Sequence, residues 1–361
     1  MVRPRRTRPL VILCGVVVWL LTGPDRAAAQ AGGAGACDIQ TKERIVAVGD
    51  VHGAYDRFVG ILRAAGLVDA RARWSGGRAI LVQTGDVLDR GAESRRALDL
   101  LRRLEREAAR AGGRVYPLLG NHEVMRMVWD WRYVSAEEIA AFRTGGSDEL
   151  RERAYAVVAA QQARGENQAY DEAAFRERFM RDIPLGFIEM RQAFGPAGDY
   201  GKWLRQRHAL VRINGIAFVH GGIDPATAML GCDGINAAVR RDVTLAQPTP
   251  EQLVGMLATS DTGPLWYRGL AEEDDPAFAP QAAGILRTLG ARAIVIGHTV
   301  TNGFRIRSRF GGRVVQIDTG MLGGSWYPGG GASALEIRGD TLTAIYENGR
   351  EPLPALAPPA P

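Results

Sequence analysis

The chain has 361 residues, of which 46% are apolar and 24% charged, and this balance excludes an intrinsically disordered protein. Its length allows one large domain or two smaller ones. The net charge of +5 gives no support for a nucleic-acid partner, because removal of residues 1–29 takes away five arginines and one aspartate and leaves +1.

The first 29 residues have the layout of a secretory signal peptide. The basic segment MVRPRRTRP precedes an apolar run of 13 residues, from Leu10 to Thr22, and Ala27-Ala28-Ala29 offers small residues for cleavage. A transmembrane helix needs about 17 or more apolar residues, so this run is short for a span, and an uncleaved anchor is the alternative. We therefore predict an exported protein, periplasmic or extracellular, with no stable membrane span after cleavage.

Residues 30–43 are predicted to be a Gly/Ala-rich spacer that leads into one folded domain at residues 44–350. Of the three cysteines, Cys14 lies in the signal peptide, which leaves Cys37 in the spacer and Cys232 far along the chain. In an oxidising compartment these two thiols could pair. Our hypothesis is that such a disulfide pins the mature N-terminus to the domain.

Short apolar runs alternate with helical stretches at the start of this domain. Residues 44–48, 79–83 and 114–119 are brief and apolar, which is typical of buried strands. Residues 54–66 and 92–111 carry apolar side chains at helical spacing, and each stretch ends near a glycine. Strands separated by helices predict an α/β layout with a sheet core.

The character of the chain then changes. Residues 129–205 are charged and helical in pattern, which predicts a helical insertion that could close over the site as a cap. Two-residue turns at Asn214-Gly215 and Gly339-Asp340 predict antiparallel hairpins in the part that follows. Residues 351–361 are predicted to be a Pro-rich extended or disordered tail. The strands after the insertion are predicted at 209–220, 293–297, 304–318 and 334–347.

Polar side chains follow five of the predicted strands. Ligand sites in α/β sheets gather at the carboxyl ends of strands, so these five segments should converge. The glycines within them let the backbone turn sharply enough for the side chains to point at one place. The segments are GDVHG at 49–53, GDVLDRG at 85–91, GNHE at 120–123, HGG at 220–222 and GHT at 297–299.

Six residues in these segments are candidate metal ligands, and they offer imidazole, carboxylate and amide groups but no thiolate. They are Asp50, His52, Asp86, Asn121, His220 and His298. The set is too large for one tetrahedral ion, and a bridging carboxylate suits two adjacent divalent ions such as Mn, Fe or Zn. A lone histidine is more often structural, and His208 in LRQRHAL is predicted to be so. The other four of the five histidines follow predicted strands beside Gly, Asp or Asn.

In their order along the chain, these motifs resemble those of the calcineurin-like metallophosphoesterases. Asp89-Arg90-Gly91 and Glu123 favour the phosphoprotein phosphatase branch over nuclease-like relatives. GPLWYRG at 263–269, together with GHT at 297–299, is similar to the Shewanella-like bacterial protein phosphatases. The resemblance implies an α/β fold, a β-sandwich flanked by helices, with the helical insertion near the active site.

The resemblance also implies how two metal ions would be held. One ion would be bound by Asp50, His52 and a bridging Asp86, and the other by Asp86, Asn121, His220 and His298. Val300 departs from relatives with a GHxH ending, so the first ion should lack that extra imidazole. Glu123 is expected to support the local structure or a ligand.

Catalytic and phosphate-binding roles follow from the same resemblance. His122 would be the general acid that protonates the leaving oxygen, and Asp89 would orient it. Arg90, Asn121 and Arg268 would contact the substrate phosphate, Arg268 by the weaker match. An imidazole can deliver the required proton, and a guanidinium fits two phosphate oxygens.

These roles imply a metal-dependent phosphomonoesterase in which a metal-bridging hydroxide attacks phosphorus directly. The expected substrate is a phosphorylated protein, at phosphotyrosine, phosphoserine or phosphothreonine. The alternative is a small phosphate ester, nucleotide or dinucleoside polyphosphate, because the same metal pair serves either. Trp129, Trp131 and Trp266 could stack on a phosphotyrosine ring, although core packing is the commoner use of tryptophan. A non-catalytic binding protein is the third hypothesis, and it predicts bound metal without turnover.

Overall fold

The computed structural model describes residues 37–164, 171–245 and 248–356, which form two six-stranded sheets flanked by helices. The predicted signal peptide, residues 1–29, lies outside the described residues. Among the described helices, none is both long and apolar enough to cross a membrane. The strands of the described residues are β1 Asp38–Ile39, β2 Ile45–Val48, β3 Ile80–Gln83, β4 Arg114–Pro117, β5 Leu210–Ile213, β6 Ile216–Val219, β7 Ala293–Ile296, β8 Arg307–Arg309, β9 Val314–Gln316, β10 Ser333–Arg338, β11 Thr341–Tyr346 and β12 Gly349–Leu353.

The helices fall into three groups along the chain. Those before the predicted insertion are α1 Tyr55–Ala64, α2 Ser94–Arg110 and α3 Asn121–Met127. Those within it are α4 Ala136–Ala140, α5 Ser147–Gln162, α6 Glu172–Asp182, α7 Phe187–Phe194 and α8 Asp199–Leu204. Those after it are α9 Pro225–Ala228, α10 Gly231–Thr244, α11 Pro250–Gly255, α12 Gly269–Glu272 and α13 Asp275–Leu289.

The first sheet has the strand order β12-β11-β10-β2-β3-β4. Its strands β2, β3 and β4 are parallel, with Ile45 opposite Ile80 and Ile80 opposite Arg114. Helices α1 and α2 connect them, because parallel neighbours need a crossover connection. Strands β10 and β11 form the hairpin predicted at Gly339-Asp340. The predicted α/β start of the domain is therefore confirmed.

The second sheet has the strand order β1-β5-β6-β7-β9-β8. Strands β5 and β6 form the predicted hairpin, and both turn residues, Asn214 and Gly215, have positive φ as a type I′ turn requires. Strands β6, β7 and β9 are parallel neighbours. The stretch 304–318 holds two strands, β8 and β9, which fold back on each other around a 3₁₀ turn at Phe310–Gly312.

The two sheets pack face to face around an inner apolar core, while helices cover their outer faces. Along β2, Ile45 and Ala47 belong to the inner core, whereas Val46 and Val48 pack with residues of the helices. This alternation follows from the period of two along a strand. Because both faces of these strands are buried, they read in the sequence as continuous apolar runs. The predicted β-sandwich flanked by helices is confirmed.

The predicted insertion at 129–205 consists of helices α4 to α8 in its described part. Its end is attached to α2, because Tyr200 Oη donates to Asp99 and Trp203 Nε1 donates to Glu105, each at 2.8 Å. The insertion thus rests on the domain through hydrogen bonds as well as apolar contacts.

The predicted spacer at 30–43 is partly structured, which corrects the start of the domain. Strand β1 pairs with β5 and places Asp38 opposite Arg212, whose Nη2 donates to the Asp38 carboxylate at 2.8 Å. Cys37 is buried and forms a disulfide with Cys232 of α10, with Cα atoms 6.0 Å apart. The hypothesis of this disulfide is confirmed. A strand of two residues has no periodicity, so the sequence pattern could not indicate β1.

The first residues of the predicted tail at 351–361 are extended and belong to a sheet. Strand β12 pairs with β11 and places Pro352 opposite Thr343. Proline has no N–H to donate, and an edge strand such as β12 tolerates this loss. Leu356, beyond the strand, is buried against the inner core.

Candidate active site

The loops after β2, β3 and β4 of the first sheet meet the loops after β6, β7 and β9 of the second. This is the edge at which parallel strands present their carboxyl ends, as ligand sites in α/β sheets require. The six predicted metal ligands all lie there and are buried, with exposed fractions of 0–9%. The residues are Asp50, His52, Asp86, Asn121, His220 and His298.

His220 lies among the first group of donor atoms. Its Nε2 atom is 2.9 Å from Asn121 Oδ1 and 3.1 Å from His298 Nδ1. The same atom is 3.2 Å from Asp86 Oδ2. Donor atoms bound at about 2.0–2.2 Å to one ion lie about 3 Å from each other, so these four residues have the separation of metal ligands.

His52 lies in the second group, which shares Asp86 with the first. Its Nε2 atom is 3.6 Å from Asp86 Oδ2 and 3.8 Å from Asp50 Oδ2. His122 Nε2 is also 3.8 Å from Asp86 Oδ2. Among the described residues, Asp86 belongs to both groups that could hold a metal ion, which is the position of a bridging carboxylate.

Backbone carbonyl groups set the tautomers of two histidines. His52 Nδ1 donates to Leu88 O at 2.8 Å, and His220 Nδ1 donates to Thr84 O at 2.9 Å. Because Nδ1 carries the hydrogen in each ring, Nε2 presents its lone pair to the cluster. His298 Nε2 is buried and has no hydrogen-bond partner in the described structure. These rings are therefore arranged to bind cations.

The charges of the cluster also favour a bound cation. Burial and the neighbouring Asp318 raise the pKa of Asp50 well above its usual range. Burial alone would lower the pKa of His220, but Asp86 and Asp50 raise it to about 9. The two carboxylates thus favour positive charge at the His220 ring. A divalent ion would supply that positive charge instead, and imidazole with carboxylate donors fits Mn, Fe or Zn.

Five site residues have backbone in the left-handed region, which only glycine adopts without strain. They are His52, Asp86, Asp89, Arg90 and His298, with φ between 46° and 68°. Such strain persists only where the surrounding structure holds it, and it concentrates at functional sites. The turns at these positions carry three candidate metal ligands together with Asp89 and Arg90.

Gly120 and Gly297 allow the loops to approach each other. A Cβ at Gly120 would collide with the backbone N and Oδ1 of Asp86. A Cβ at Gly297 would lie 2.6 Å from Asp50 Oδ1. The motif glycines are thus required by close packing against two carboxylates, in addition to the turns that the sequence predicts.

Glu123 holds the loop after β3 in place. Its carboxylate accepts hydrogen bonds from the backbone N–H groups of Gly120, Asp86, Val87 and Leu88, at 2.8–3.3 Å. It is buried and contacts Asp86 through the backbone N–H of that residue. The predicted supporting role of Glu123 agrees with these contacts.

His122 is oriented by Asp89, whose Oδ2 accepts from Nδ1 at 2.7 Å. Burial by itself would raise the pKa of Asp89, but the Arg126 guanidinium and His122 lower this pKa below its usual range. The carboxylate is therefore charged. His122 Nε2 faces Arg90 Nη2 at 3.1 Å. Its distance to Asp86 would allow metal binding, but one ring nitrogen is bound to Asp89 and the other faces Arg90.

Arg90, in the loop after β3, extends its guanidinium toward His52 and His122. Its Nη1 atom contacts His52 Nε2 and Tyr327 Oη. Its Cζ atom lies 5.4–5.7 Å from the ring centroids of Tyr133, Trp326 and Tyr327. The guanidinium is therefore held among aromatic rings beside the predicted metal ligands.

Arg268 is exposed and lies at the margin of this cluster. Its Nη1 atom donates to Thr299 Oγ1 at 2.8 Å and to His298 O at 3.4 Å. These contacts place its side chain beside one predicted ligand. His208, which is predicted to be structural, forms a parallel β-bridge with Leu118 and is absent from both groups of described residues that could hold a metal ion.

Several site residues were missed by the sequence analysis. Asp318 is buried beside Asp50 and follows the end of β9 after Ile317, so the rule of polar residues after strands could have found it. No such pattern marks Arg126, Tyr133 or Trp326 in the sequence, because their positions at the site depend on tertiary contacts. The list of missed residues is Asp318, Arg126, Glu138, Tyr133, Trp326 and Tyr327.

The three tryptophans proposed for ring stacking have different surroundings. Trp131 packs against Phe187 and stacks with Trp129, with ring centroids 5.0 and 5.8 Å apart. Trp266 lies 5.9 Å from the His298 ring and donates to Ala258 O. Trp131 and Trp266 pack against the apolar core, which agrees with the core role considered for them.

Comparisons with known proteins agree with this geometry. The calcineurin-like phosphoesterase family matches residues 43–302. An uncharacterised protein of Schizosaccharomyces pombe is 30% identical over 317 residues, covering 84% of this chain and 80% of its own length. Shewanella-like protein phosphatase 2 of Arabidopsis thaliana is 29% identical over 319 residues, covering 84% of this chain and 77% of its own length.

A similar solved structure is that of the cold-active protein-tyrosine phosphatase of a psychrophilic Shewanella species. Its TM-score is 0.65 and its identity 26%, covering 88% of this chain and 82% of that one. The match to the family spans most of the chain, and the site lies inside or beside the matched range. The chain therefore belongs to the calcineurin-like phosphoesterase family and is a hydrolase of phosphate esters.

Proposed function

We propose that this chain is a metal-dependent phosphomonoesterase that acts on phosphorylated proteins. The observation that carries the proposal is the convergence of imidazole, carboxylate and amide donors with the His122–Asp89 pair and Arg90 at one edge of the sandwich. Relatives named as protein phosphatases, from Arabidopsis thaliana and a Shewanella species, support the protein substrate.

Each residue has a distinct task in the proposed mechanism. Divalent ions held by the six predicted ligands would activate water as a nucleophile and neutralise phosphate charge. Arg90 binds two phosphate oxygens with its planar guanidinium and orients the ester for in-line attack. Arg268 approaches the phosphate from the side of His298. His122 donates its Nε2 proton to the leaving oxygen while Asp89 holds the ring.

Phosphotyrosine is the substrate that the aromatic surroundings favour. Trp326 is 48% exposed although its ring lies 5.4 Å from Arg90 Cζ. A phenyl leaving group beside the bound phosphate can stack on such a ring. Trp326→Ala should lower the ratio of phosphotyrosine to phosphoserine turnover, with exposed Met229→Ala as the control. An unchanged ratio would argue against this selectivity.

The direct test is hydrolysis by metal-stripped protein with and without added Mn²⁺. The substrates are p-nitrophenyl phosphate, matched phosphotyrosine, phosphoserine and phosphothreonine peptides, and a dinucleoside polyphosphate. Metal-restored turnover that favours the peptides is the expected result. Preference for the dinucleoside polyphosphate would establish a small-phosphate hydrolase instead, and bound metal without turnover would indicate a binding protein.

We also infer that the protein is exported. The Cys37–Cys232 disulfide supports this, because disulfides persist in oxidising compartments. The basic and apolar segments of residues 1–29 support it independently. Fractionation of expressing cells should place the protein outside the cytoplasm, with its N-terminus near residue 30 by sequencing. Retention of residues 1–29 would favour the uncleaved anchor.

A further inference from the structure

A buried arginine links the helical insertion to the proposed proton donor. Arg126, on α3, is 0% exposed, and its Nη2 atom donates to Asp89 Oδ1 and, at 2.9 Å, to Glu138 Oε1. Asp89 uses its other carboxylate oxygen to accept from His122 Nδ1 at 2.7 Å. Because Glu138 lies on α4, an unbroken chain of ionic hydrogen bonds runs from the insertion to His122.

The insertion encloses the rest of the Arg126 guanidinium as well. The rings of Trp131 and Phe194 lie 5.2 and 4.9 Å from its Cζ atom, and Met190 Sδ lies 3.3 Å from Nη1. All three residues belong to the range 129–205. Within the described structure, Asp89 and Glu138 are the acidic partners of this arginine.

Such a buried ionic cluster is sensitive to the loss of one member. Glu138 is 1% exposed and Asp89 0%, so water cannot replace either carboxylate. Removing one partner of a buried pair leaves charge uncompensated and is strongly unfavourable. Arg126 Nε has no hydrogen-bond partner in the described structure, so this nitrogen does not restrain the guanidinium.

We propose that Glu138 is a positioning residue for His122, acting through Arg126 and Asp89. The inference rests on the proposed function, since it takes His122 as the proton donor. Glu138 holds the guanidinium in the orientation that fixes Asp89 Oδ1. Asp89 Oδ2 is then aimed at Nδ1, and the ring presents Nε2 to the leaving oxygen. The insertion thus supports proton transfer directly, in addition to any contact with substrate.

Helix α4 provides the local support for Glu138. Ser135 is its N-cap, and its Oγ accepts from the backbone N–H of Glu138 at 3.1 Å. The helix has five residues, so the loss of this cap should affect its position more than it would in a long helix. Ser135→Ala is therefore a second way to disturb Glu138 without changing its charge.

The test compares two aryl phosphates whose leaving groups need different help from an acid. Phenolate is a stronger base than p-nitrophenolate, so phenyl phosphate depends more on proton donation. Glu138→Gln should lower kcat for phenyl phosphate about ten-fold and for p-nitrophenyl phosphate about two-fold, part of the full effect of a general acid. KM and metal content should stay unchanged. The matched control is Glu137→Gln, an exposed neighbour on α4.

Three further variants separate positioning from a structural role. In a His122→Asn background, Glu138→Gln should cause no additional loss, because its effect passes through His122. Ser135→Ala should reproduce the dependence on leaving group more weakly, and it keeps the test valid if Glu138→Gln does not fold. Glu138→Asp should restore part of the phenyl phosphate activity.

Opposite results would overturn the inference. Equal losses for the two esters, or a further loss in the His122→Asn background, would mean that Glu138 only stabilises the fold. Failure of this inference is distinguishable from failure of the proposed function. If the wild-type enzyme hydrolyses both esters and the kcat values of Glu138→Gln equal those of Glu137→Gln, only the positioning role is wrong. If the wild-type enzyme with metal hydrolyses neither these esters nor the phosphopeptides, both the positioning role and the proposed function are wrong.

Discussion

At the scale of single residues, His122 and Asn121 are neighbours with separate contacts. Asn121 Oδ1 lies 2.9 Å from His220 Nε2, within the metal-holding group. His122 Nδ1 is bound to Asp89, and its Nε2 faces Arg90. The first turn of α3 therefore directs one side chain toward the predicted ions and the next toward the leaving group. This division predicts that a mutation of His122 impairs proton donation without loss of metal.

We expect His122→Asn to lower kcat by a factor of about 10²–10⁴ on phenyl phosphate, since a positioned general acid contributes that much. Metal content, measured by plasma mass spectrometry, should remain near that of the wild-type protein, because the six predicted ligands are retained. A variant that lost its metal would instead show that His122 is a ligand.

Gly120 should tolerate no side chain. In Gly120→Ala, the added Cβ would collide with Asp86, so the Asp86 carboxylate would shift, and metal affinity or activity should fall about 10- to 100-fold. Gly60→Ala is the control, because it lies within α1 with nothing within 4 Å of an added Cβ. That variant should keep full activity and gain about 0.5–1 kcal/mol of stability. Normal metal titration of Gly120→Ala would refute the packing argument.

At the scale of elements, strand β1 is joined to the sandwich by a covalent link. The disulfide from Cys37 to Cys232 closes a loop with a sequence separation of 195 and ties β1 to α10. A short edge strand forms only two residues of pairing with β5, so it depends on this link. The helical insertion differs from β1 because it is attached to the domain by ionic and aromatic contacts and not by a disulfide.

Replacing both cysteines by serine should lower the free energy of unfolding by about 2–4 kcal/mol, mainly because the unfolded chain is no longer constrained. Turnover below the melting temperature should not change, since neither cysteine contacts the metal cluster. Differential scanning calorimetry with and without reductant checks this. Reductant should lower the Tm of the wild-type protein and leave that of the double variant unchanged.

At the scale of the whole molecule, three buried carboxylates from both sheets meet at the site. Asp50 and Asp86 come from the first sheet and Asp318 from the second. Their charges repel one another in a region without solvent, so the two sheets are expected to be held together at this edge by bound cations.

Metal removal should therefore destabilise the fold. A ligand that binds only the folded state adds about 2.7 kcal/mol at a concentration 100 times its Kd, so added Mn²⁺ should raise the Tm of stripped protein. Asp86→Asn should abolish most of this increase, because both metal-holding groups share Asp86. A Tm that does not respond to divalent ions would contradict the role of these carboxylates.

Local pattern alone determined the α/β start, both hairpins and the six candidate ligands. Apolar runs buried on both faces identified β2 and β3, and Asn214-Gly215 identified a turn that needs positive φ. The candidate ligands could be named because each follows a strand, and strand ends converge in such sheets. These features depend on neighbours in the chain, so a single sequence carries them.

Tertiary structure decided the rest. Strand β1 and the end of β12 have no periodicity, and only their partners in the sheets make them strands. Glu138, Arg126 and Trp326 reach the site through contacts between distant segments, which no local pattern encodes. Buried charge and aromatic side chains acquire a role only when folding removes water and sets their distances.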